Sequence, residues 1–246
     1  MTPVVFDDRT GRLRLDQATF EQLVAWARAR GDGDPGPGLA ALREAGAVRP
    51  GAPHPALAPG LLAVTEPVCR LRLRLTDELG RARSGEGWVR GDAASLLLDL
   101  PDGLRDFVTL APAFLPAALA RVVRLGPRPR PPSQPVQVPA ALLGTLFSAD
   151  AAERAGVAEL VTGVALRAAV KRLAAGPWRV WRAEMTWTGP GGRPARRELH
   201  VADGEVGLLL LDVDDERAVL WPTTPTAVWR HLIRLLPDTV ELARDE

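Results

Sequence analysis

The chain has 246 residues, of which 46% are hydrophobic and 25% are charged, a composition typical of a globular protein with a sizeable core. Its formal net charge of +1 gives no reason to expect binding to nucleic acid or to an anionic membrane. Cys69 is the single cysteine, which excludes an internal disulfide and a cysteine-based metal cluster.

The first half of the chain is predicted to hold helices followed by strands. Residues 1–12 resemble a loose or edge segment, and Asp16 is a suitable cap for a helix that runs to about residue 30. From Cys69 to Leu75 apolar residues alternate with arginines, which predicts a half-buried strand of an antiparallel sheet. The remaining predictions are helices at 39–45, 55–64 and 115–125, a turn at 79–87, and strands at 88–90, 93–100 and 107–110.

The second half repeats this order. A proline-rich linker, residues 127–138, separates a first half at 1–126 from a second half at 139–246. Thr224 and Pro225 are suited to cap and open a closing helix at 225–236. The other predictions are helices near 139–153 and 157–175 and strands at 178–188, 195–202, 205–213 and 217–221.

Matching segments recur at a nearly constant spacing. Pro67 and Pro177 are 110 residues apart, and Pro116 and Pro225 are 109 apart. In the same way residues 91–100 match residues 204–213 at a spacing of 113. We interpret the chain as an α+β protein made of two pseudo-two-fold-related copies of one unit, packed into one compact domain. Each copy has helices, a four-stranded antiparallel sheet and a final helix.

No arrangement of side chains predicts a catalytic, cofactor or metal site. The histidines His54, His200 and His231 are scattered and lack metal-ligand spacing. The acidic run from Asp212 to Glu216 is typical of a polar hairpin turn. An enzyme with a pocket between the halves, near this run or near His200, remains an alternative.

The N-terminal stretch carries acidic residues where a signal peptide is basic, and no apolar run approaches the roughly 20 residues of a membrane span. We therefore expect a cytoplasmic protein that does not insert into a membrane. Lys171 is the one lysine among 31 basic residues, which is typical of a GC-rich bacterial genome.

Three passages between about residues 16 and 240 resemble the EspG family, the cytosolic chaperones of actinobacterial type VII (ESX) secretion. The first is PGLAALREAGAV at 37–48, followed by HPALAPGLLAVTEP. The second is VPAALLGTLF with AERAGV, at the start of the second half. The third is AVLWPTTPTAVWRHLIRLLP at 218–237. The resemblance implies the EspG-like duplicated fold and a binding function without catalysis.

The resemblance also implies the partner, a helical PE–PPE-like pair whose hydrophobic tip the family covers to keep it soluble for export. Strand 178–188 and helix 157–175 are the implied binding elements, and the turn at 79–87 stands where the family has a specificity loop. An adaptor with an unrelated partner remains an alternative, and an exposed sheet edge leaves a homodimer open. The candidate contact residues are Trp178, Trp181, Trp187, Leu160 and Val164.

Overall fold

The computed structural model describes residues 4–29, 37–129, 134–161 and 164–242, and for 164–166 it describes the backbone alone. The helices of these ranges are α1 (Gln17–Arg28), α2 (Pro37–Glu44), α3 (Ala58–Thr65), α4 (Leu115–Val122), α5 (Ala140–Leu146), α6 (Ala151–Leu160), α7 (Val164–Ala175) and α8 (Pro225–Leu235). The strands are β1 (Val5–Asp7), β2 (Arg12–Leu15), β3 (Val48–Arg49), β4 (Ala52–Pro53), β5 (Cys69–Asp77), β6 (Ala82–Arg90), β7 (Ala93–Asp99), β8 (Arg105–Leu110), β9 (Val136–Pro139), β10 (Trp178–Thr188), β11 (Pro194–Gly204), β12 (Gly207–Val213) and β13 (Arg217–Thr223).

One antiparallel sheet runs through both halves of the chain. Within the described ranges it has eleven strands in the order β1-β2-β8-β7-β6-β5-β10-β11-β12-β13-β9, and β3 and β4 form a separate pair. The two halves meet at β5 and β10, where Leu73 lies opposite Ala183 at the middle of the paired stretch. From this central pair outward, the same succession of four strands and a helix occurs on either side. The mixed α+β class with a large antiparallel sheet is as predicted, while the duplication itself remains an interpretation.

The helices α4 and α8 cover one face of the sheet, which we call the helix-pair face. Alternate residues of β5 and β10 point into this layer, so both halves contribute to one continuous core. Leu119 and Val228, from α4 and α8, are 1% and 0% exposed there. The central side chains of this core are Leu71, Leu73, Trp181, Ala183, Met185 and Val201.

The other face, which we call the open face, carries two separate helix clusters. In the first half α1, α2 and α3 pack over Trp88, Leu97 and Phe107. In the second half α6 and α7 pack over Ala202 and Leu209, and residues of α5 lie against the same core. The middle of the sheet lies between the two clusters.

The predicted turn at 79–87 is wrong for most of its length, because β6 begins at Ala82 and the connection between β5 and β6 is confined to residues 78–81. Gly85 and Gly87 belong to the segment predicted as a turn, but they lie inside the strand. A Cβ at Gly85 would come within 2.7 Å of the Leu98 side chain, and one at Gly87 within 3.0 Å of Leu96. These glycines make room for leucines of the neighbouring strand rather than for a turn.

The predicted helices at 139–153 and 157–175 correspond to three helices. The first break lies between α5 and α6, where the Asp150 carboxylate accepts hydrogen bonds from the backbone N–H groups of Ala152 and Glu153 and so caps α6. The second break follows Leu160. Three short strands lengthen the sheet. Strand β1 lies in residues 1–12, predicted as a loose or edge segment, β2 follows it at 12–15, and β9 lies at the end of the predicted linker.

The sheet does not support the match of residues 91–100 with 204–213 at a spacing of 113. That spacing places Leu96 on Leu209, but Leu96 belongs to the core of the helix-pair face and Leu209 to the core under α6 and α7. The match is therefore wrong by one position, and a slip of one residue exchanges the two faces of a strand.

The strand–turn–helix at the end of the chain is as predicted. Strand β13 begins at Arg217 and α8 at Pro225, both as predicted. The Thr224 hydroxyl caps the N-terminus of α8 by accepting a hydrogen bond from the Ala227 N–H at 3.2 Å. The central strand β10 also has its predicted bounds, 178–188.

The described residues contain no helix with the length and apolar character that crossing a membrane requires.

Candidate partner-binding surface

The three candidate tryptophans of strand β10 lie in the core. Trp181 is 1% exposed and sits at the centre of the helix-pair face. Trp178 packs against the Phe147 ring, with 5.4 Å between the ring centroids, on the open face beneath the helices. The Trp187 indole N–H donates a hydrogen bond to the Glu241 carbonyl oxygen at 3.0 Å. In this structure none of the three rings is presented to a partner.

The two helical candidates differ from the tryptophans. Leu160 is the last residue of α6 and its side chain is 65% exposed. It borders an open depression of about 520 Å³ together with Val138, Pro139 and Val161. The side chain of Val164 lies outside the described part of the chain. Leu160 is therefore an apolar side chain at the surface of the second half.

A band of polar side chains fills the middle of the open face, between the two helix clusters. Its floor comes from β5 and β10, and the cross-strand pairing places Arg74 opposite Arg182, Arg72 opposite Glu184, and Arg70 opposite Thr186. Strands β6 and β11 extend the band on either side. We call it the polar strip; its members are Arg70, Arg72, Arg74, Glu86, Arg182, Glu184, Thr186, Arg196, Glu198 and His200.

Much of the positive charge in the polar strip is unpaired. Arg182 forms ion pairs with Glu198 at 2.6 Å and with Glu184 at 3.4 Å. Among the residues that the structure describes, the guanidinium groups of Arg70, Arg72 and Arg74 have no hydrogen-bond or ion-pair partner. Like charges directly opposite each other in a sheet are destabilising, and Arg74 faces Arg182 in this way. The strip therefore presents arginines suited to a partner that carries carboxylates.

His200 lies at the second-half edge of the polar strip. Burial lowers the pKa of its imidazole, and Arg182 acts in the same direction, while the carboxylate of Glu198 opposes them. The imidazole is consequently neutral near pH 7, and the positive charge of the strip comes from its arginines.

The acidic run at 212–216 has the structure of a hairpin turn, as predicted. The Asp214 carboxylate accepts hydrogen bonds from the backbone N–H groups of Glu216 and Arg217 and pairs with the Arg217 side chain at 3.0 Å. These hydrogen bonds lower the pKa of Asp214. Within the described ranges, no group of three histidine, cysteine or acidic side chains is placed to hold a metal ion.

The sequence identified the arginines of β5 as one face of a strand, but not as an exposed surface of the folded chain. The alternation from Cys69 to Leu75 showed that Arg70, Arg72 and Arg74 share one face, and it did not show that helices leave this face uncovered. The available indication was the occurrence of arginine at three successive outward positions of one strand.

Of the comparisons with known proteins, the one with solved structures gives a match. No family model matches the chain, and no curated protein matches it in sequence. Among solved structures, it is similar to the chaperone EspG5 of the Mycobacterium tuberculosis type VII secretion system, solved in complex with a PE25–PPE41 dimer. The TM-score is 0.62 at 14% sequence identity, over 94% of this chain and 99% of EspG5. The chain therefore has the fold of an EspG chaperone, and at this identity the likeness extends to the fold alone.

Proposed function

We propose that the chain is a cytoplasmic EspG-like chaperone or adaptor without catalytic activity. It binds the hydrophobic tip of a helical type VII secretion substrate, a PE–PPE-like pair, and keeps that pair soluble for export. The support is a fold shared over 94% of the chain with a chaperone that was solved with a PE–PPE dimer. An exposed apolar helix tip aggregates unless another surface covers it, so a dedicated binding protein has a physical reason to exist.

The polar strip is the binding surface we favour for this partner, because the guanidinium groups of its β5 arginines are exposed and have no partner among the described residues. Arg70, Arg72 and Arg74 stand in a row on the middle of the open face, which the described helices leave exposed between their two clusters. A partner with carboxylates around its tip would replace water at these guanidinium groups with charge-assisted hydrogen bonds. Complementary charge of this kind chiefly sets the partner and the association rate.

Leu160 supplies the apolar contact in this arrangement. It ends α6 of the second-half helix cluster, and its exposed side chain adjoins an open depression lined by residues of β9 and β13, at the edge of the sheet and separate from the polar strip. A helical pair that extends across the second-half cluster would cover Leu160 with its apolar tip and reach the arginines with a charged segment further along its length. The three buried tryptophans then act by holding the sheet and the helices in position.

Co-expression with a PE–PPE-like pair from the same host tests the proposal. A soluble complex should survive size-exclusion chromatography. The Arg72→Glu and Leu160→Asp variants should each weaken it about tenfold or more, because one reverses the charge of the strip and the other removes the apolar contact. The matched control is Arg230→Glu, an exposed residue of α8 on the helix-pair side of the sheet.

A complex that forms equally well with all variants would contradict the proposed surface. The absence of any complex with PE–PPE-like pairs of the host would contradict the proposed partner, and would favour an adaptor that binds another protein.

A further inference from the structure

A second candidate site lies on the helix-pair face, at the carboxyl-terminal end of α4. A cavity of about 270 Å³ opens there, and its apolar part comes from Leu73, Leu75 and Leu98. Pockets for small ligands start at about 300 Å³, so the volume suits one or two side chains rather than a folded partner.

The corresponding position in the second half is already filled by the chain itself. Leu75 lies two residues after Leu73 of the central pair, and Arg83 of β6 lies opposite Leu75. Met185 lies two residues after Ala183 of the same pair, and Arg197 of β11 lies opposite Met185. Arg83 and Arg197 therefore hold equivalent places in the two halves. One Arg197 nitrogen donates to the Arg234 and Leu236 carbonyl oxygens at 2.7 and 2.9 Å, where α8 ends.

The segment after α8 completes that second-half site. The Arg197 guanidinium lies 5.3 Å from the centre of the Trp187 ring and forms an ion pair with the Glu241 carboxylate. Leu242 packs against the core of the helix-pair face. Glu241 and the leucine that follows it, Leu242, therefore cover the end of α8.

Within the described ranges, no such segment covers the end of α4. The place of Trp187 is taken by Asp77, whose carboxylate pairs with Arg81 at 2.8 Å. The chain leaves α4 in another direction, because Arg128 is held by the Asp203 carboxylate at 2.6 Å. Among the described residues, the Arg83 side chain has no hydrogen-bond or ion-pair partner. The cavity therefore keeps the arginine of the second-half site and lacks its acidic partner.

Arg124 is a second cation without an ion-pair partner in the described part of the chain, and its backbone conformation is unusual. It lines the cavity and adopts φ = 53° as α4 ends, a left-handed conformation that normally favours glycine. Nearby, burial lowers the pKa of Arg179, and the charge of Arg124 adds to that effect while Asp203 opposes it. Three acidic side chains line the cavity. The carboxylates of Asp77 and Asp99 form ion pairs with Arg81 and Arg105. Of the three, Glu78 alone is left to balance the charges of Arg83 and Arg124.

We infer that this cavity binds a short peptide segment of a partner protein in which a carboxylate side chain adjoins an aliphatic residue. The carboxylate pairs with Arg83, as Glu241 pairs with Arg197, and the aliphatic residue packs on Leu73, Leu75 and Leu98. The site lies on the opposite side of the sheet from the polar strip, so it is independent of the proposed function and both partners can bind at once.

A peptide with the sequence of residues 236–242, LPDTVEL, is the probe, capped at its carboxyl end and labelled with a fluorophore at its amino end. Fluorescence anisotropy should show saturable binding to the full chain. The Arg83→Gln variant should bind about tenfold more weakly, and a peptide carrying Glu241→Gln should lose affinity for the unchanged protein by a similar factor. Arg83 is exposed, so its variant should unfold at the same urea concentration as the unchanged protein.

Two further variants locate the bound peptide. Arg72→Gln, in the polar strip, should leave the affinity unchanged. Arg197→Gln should also leave binding in place, because the peptide enters the cavity at α4. The inference is overturned if the peptide does not bind at about 1 mM, a limit near the weakest specific affinities. It is also overturned if Arg83→Gln binds as well as the unchanged protein, or if binding is lost in Arg197→Gln and kept in Arg83→Gln.

Discussion

At the scale of single residues, buried charges anchor segments that have no regular structure. Asp203 is 7% exposed, and its two carboxylate oxygens accept hydrogen bonds from Arg128 at 2.6 and 2.7 Å. Arg179 reaches the same carboxylate at 4.0 Å and donates to the Val123 carbonyl oxygen at 3.0 Å. One aspartate thus ties the segment that leaves α4 to the sheet of the second half.

Replacing Asp203 by alanine should lower the free energy of unfolding by about 2–3 kcal/mol, because the half-buried guanidinium groups of Arg128 and Arg179 would lose their anion. Urea denaturation followed by circular dichroism measures the change. Asp92→Ala is the control, since Asp92 is exposed in the turn between β6 and β7, and it should shift the midpoint little. Equal midpoints for the two variants would contradict the anchoring role.

Cys69 illustrates a residue whose chemistry is suppressed by its position. Its side chain is 3% exposed, and burial raises the pKa of the thiol to about 11. The thiolate is the reactive form of cysteine, and a raised pKa keeps the thiol protonated. Cys69 is therefore a core residue of β5 rather than a reactive site.

At the scale of secondary-structure elements, the helices of the second half are joined through their ends. Arg154 of α6 is 8% exposed and donates hydrogen bonds to carbonyl oxygens of Ser148, Ala149 and Ala174, at 2.8, 3.0 and 3.0 Å. The first two residues follow α5 and the third lies in the last turn of α7. A cation placed at two helix carboxyl ends is also favoured by the helix dipoles. One side chain therefore fixes three helices relative to each other.

The Arg154→Leu variant should be destabilised by about 2–4 kcal/mol, because the buried Ala174 carbonyl oxygen and the part-buried Ser148 and Ala149 carbonyl oxygens lose their donor while the apolar stem is kept. Thermal denaturation provides the measurement. Arg172→Leu, at an exposed position of α7, is the matched control and should change the stability little. If both leucine variants melt at the same temperature, Arg154 does not organise this cluster.

At the scale of the whole molecule, the chain is joined by one sheet and one shared core. Residues of β5 and β10 alternate in the layer beneath α4 and α8, so the core of the helix-pair face belongs to both halves. A half of the molecule on its own would expose the edge of its central strand and one side of this core. We therefore expect the two halves to unfold together.

Equilibrium unfolding should show a single transition, with the same midpoint by tryptophan fluorescence and by circular dichroism. The Ala183→Asp variant should be less stable by about 3 kcal/mol or more, since Ala183 is 0% exposed at the centre of the sheet and an unpaired charge would be buried there. The exposed Ala82 of β6, changed to aspartate, provides the control. Two separate transitions in the unchanged protein would mean that each half folds independently.

Periodicity and capping residues determined much of the local structure without any other information. The alternation from Cys69 to Leu75 identified β5 and its two faces, and the bounds of β10 and the start of α8 were predicted correctly. These features depend on residues close together in the chain, whose spacing selects a strand or a helix and whose caps end it. They also supported the resemblance from which the fold was anticipated.

Only the tertiary structure decided which surfaces are available. Trp178, Trp181 and Trp187 were expected to contact a partner and are buried, whereas the arginines of β5 are left uncovered between two helix clusters. The same holds for Gly85 and Gly87, which suggested a turn and instead fit beneath leucines of the next strand. A sequence records which side of a strand is apolar, but whether helices cover that side depends on contacts between residues far apart in the chain. The physical reason is that packing, unlike periodicity, is a property of the whole fold.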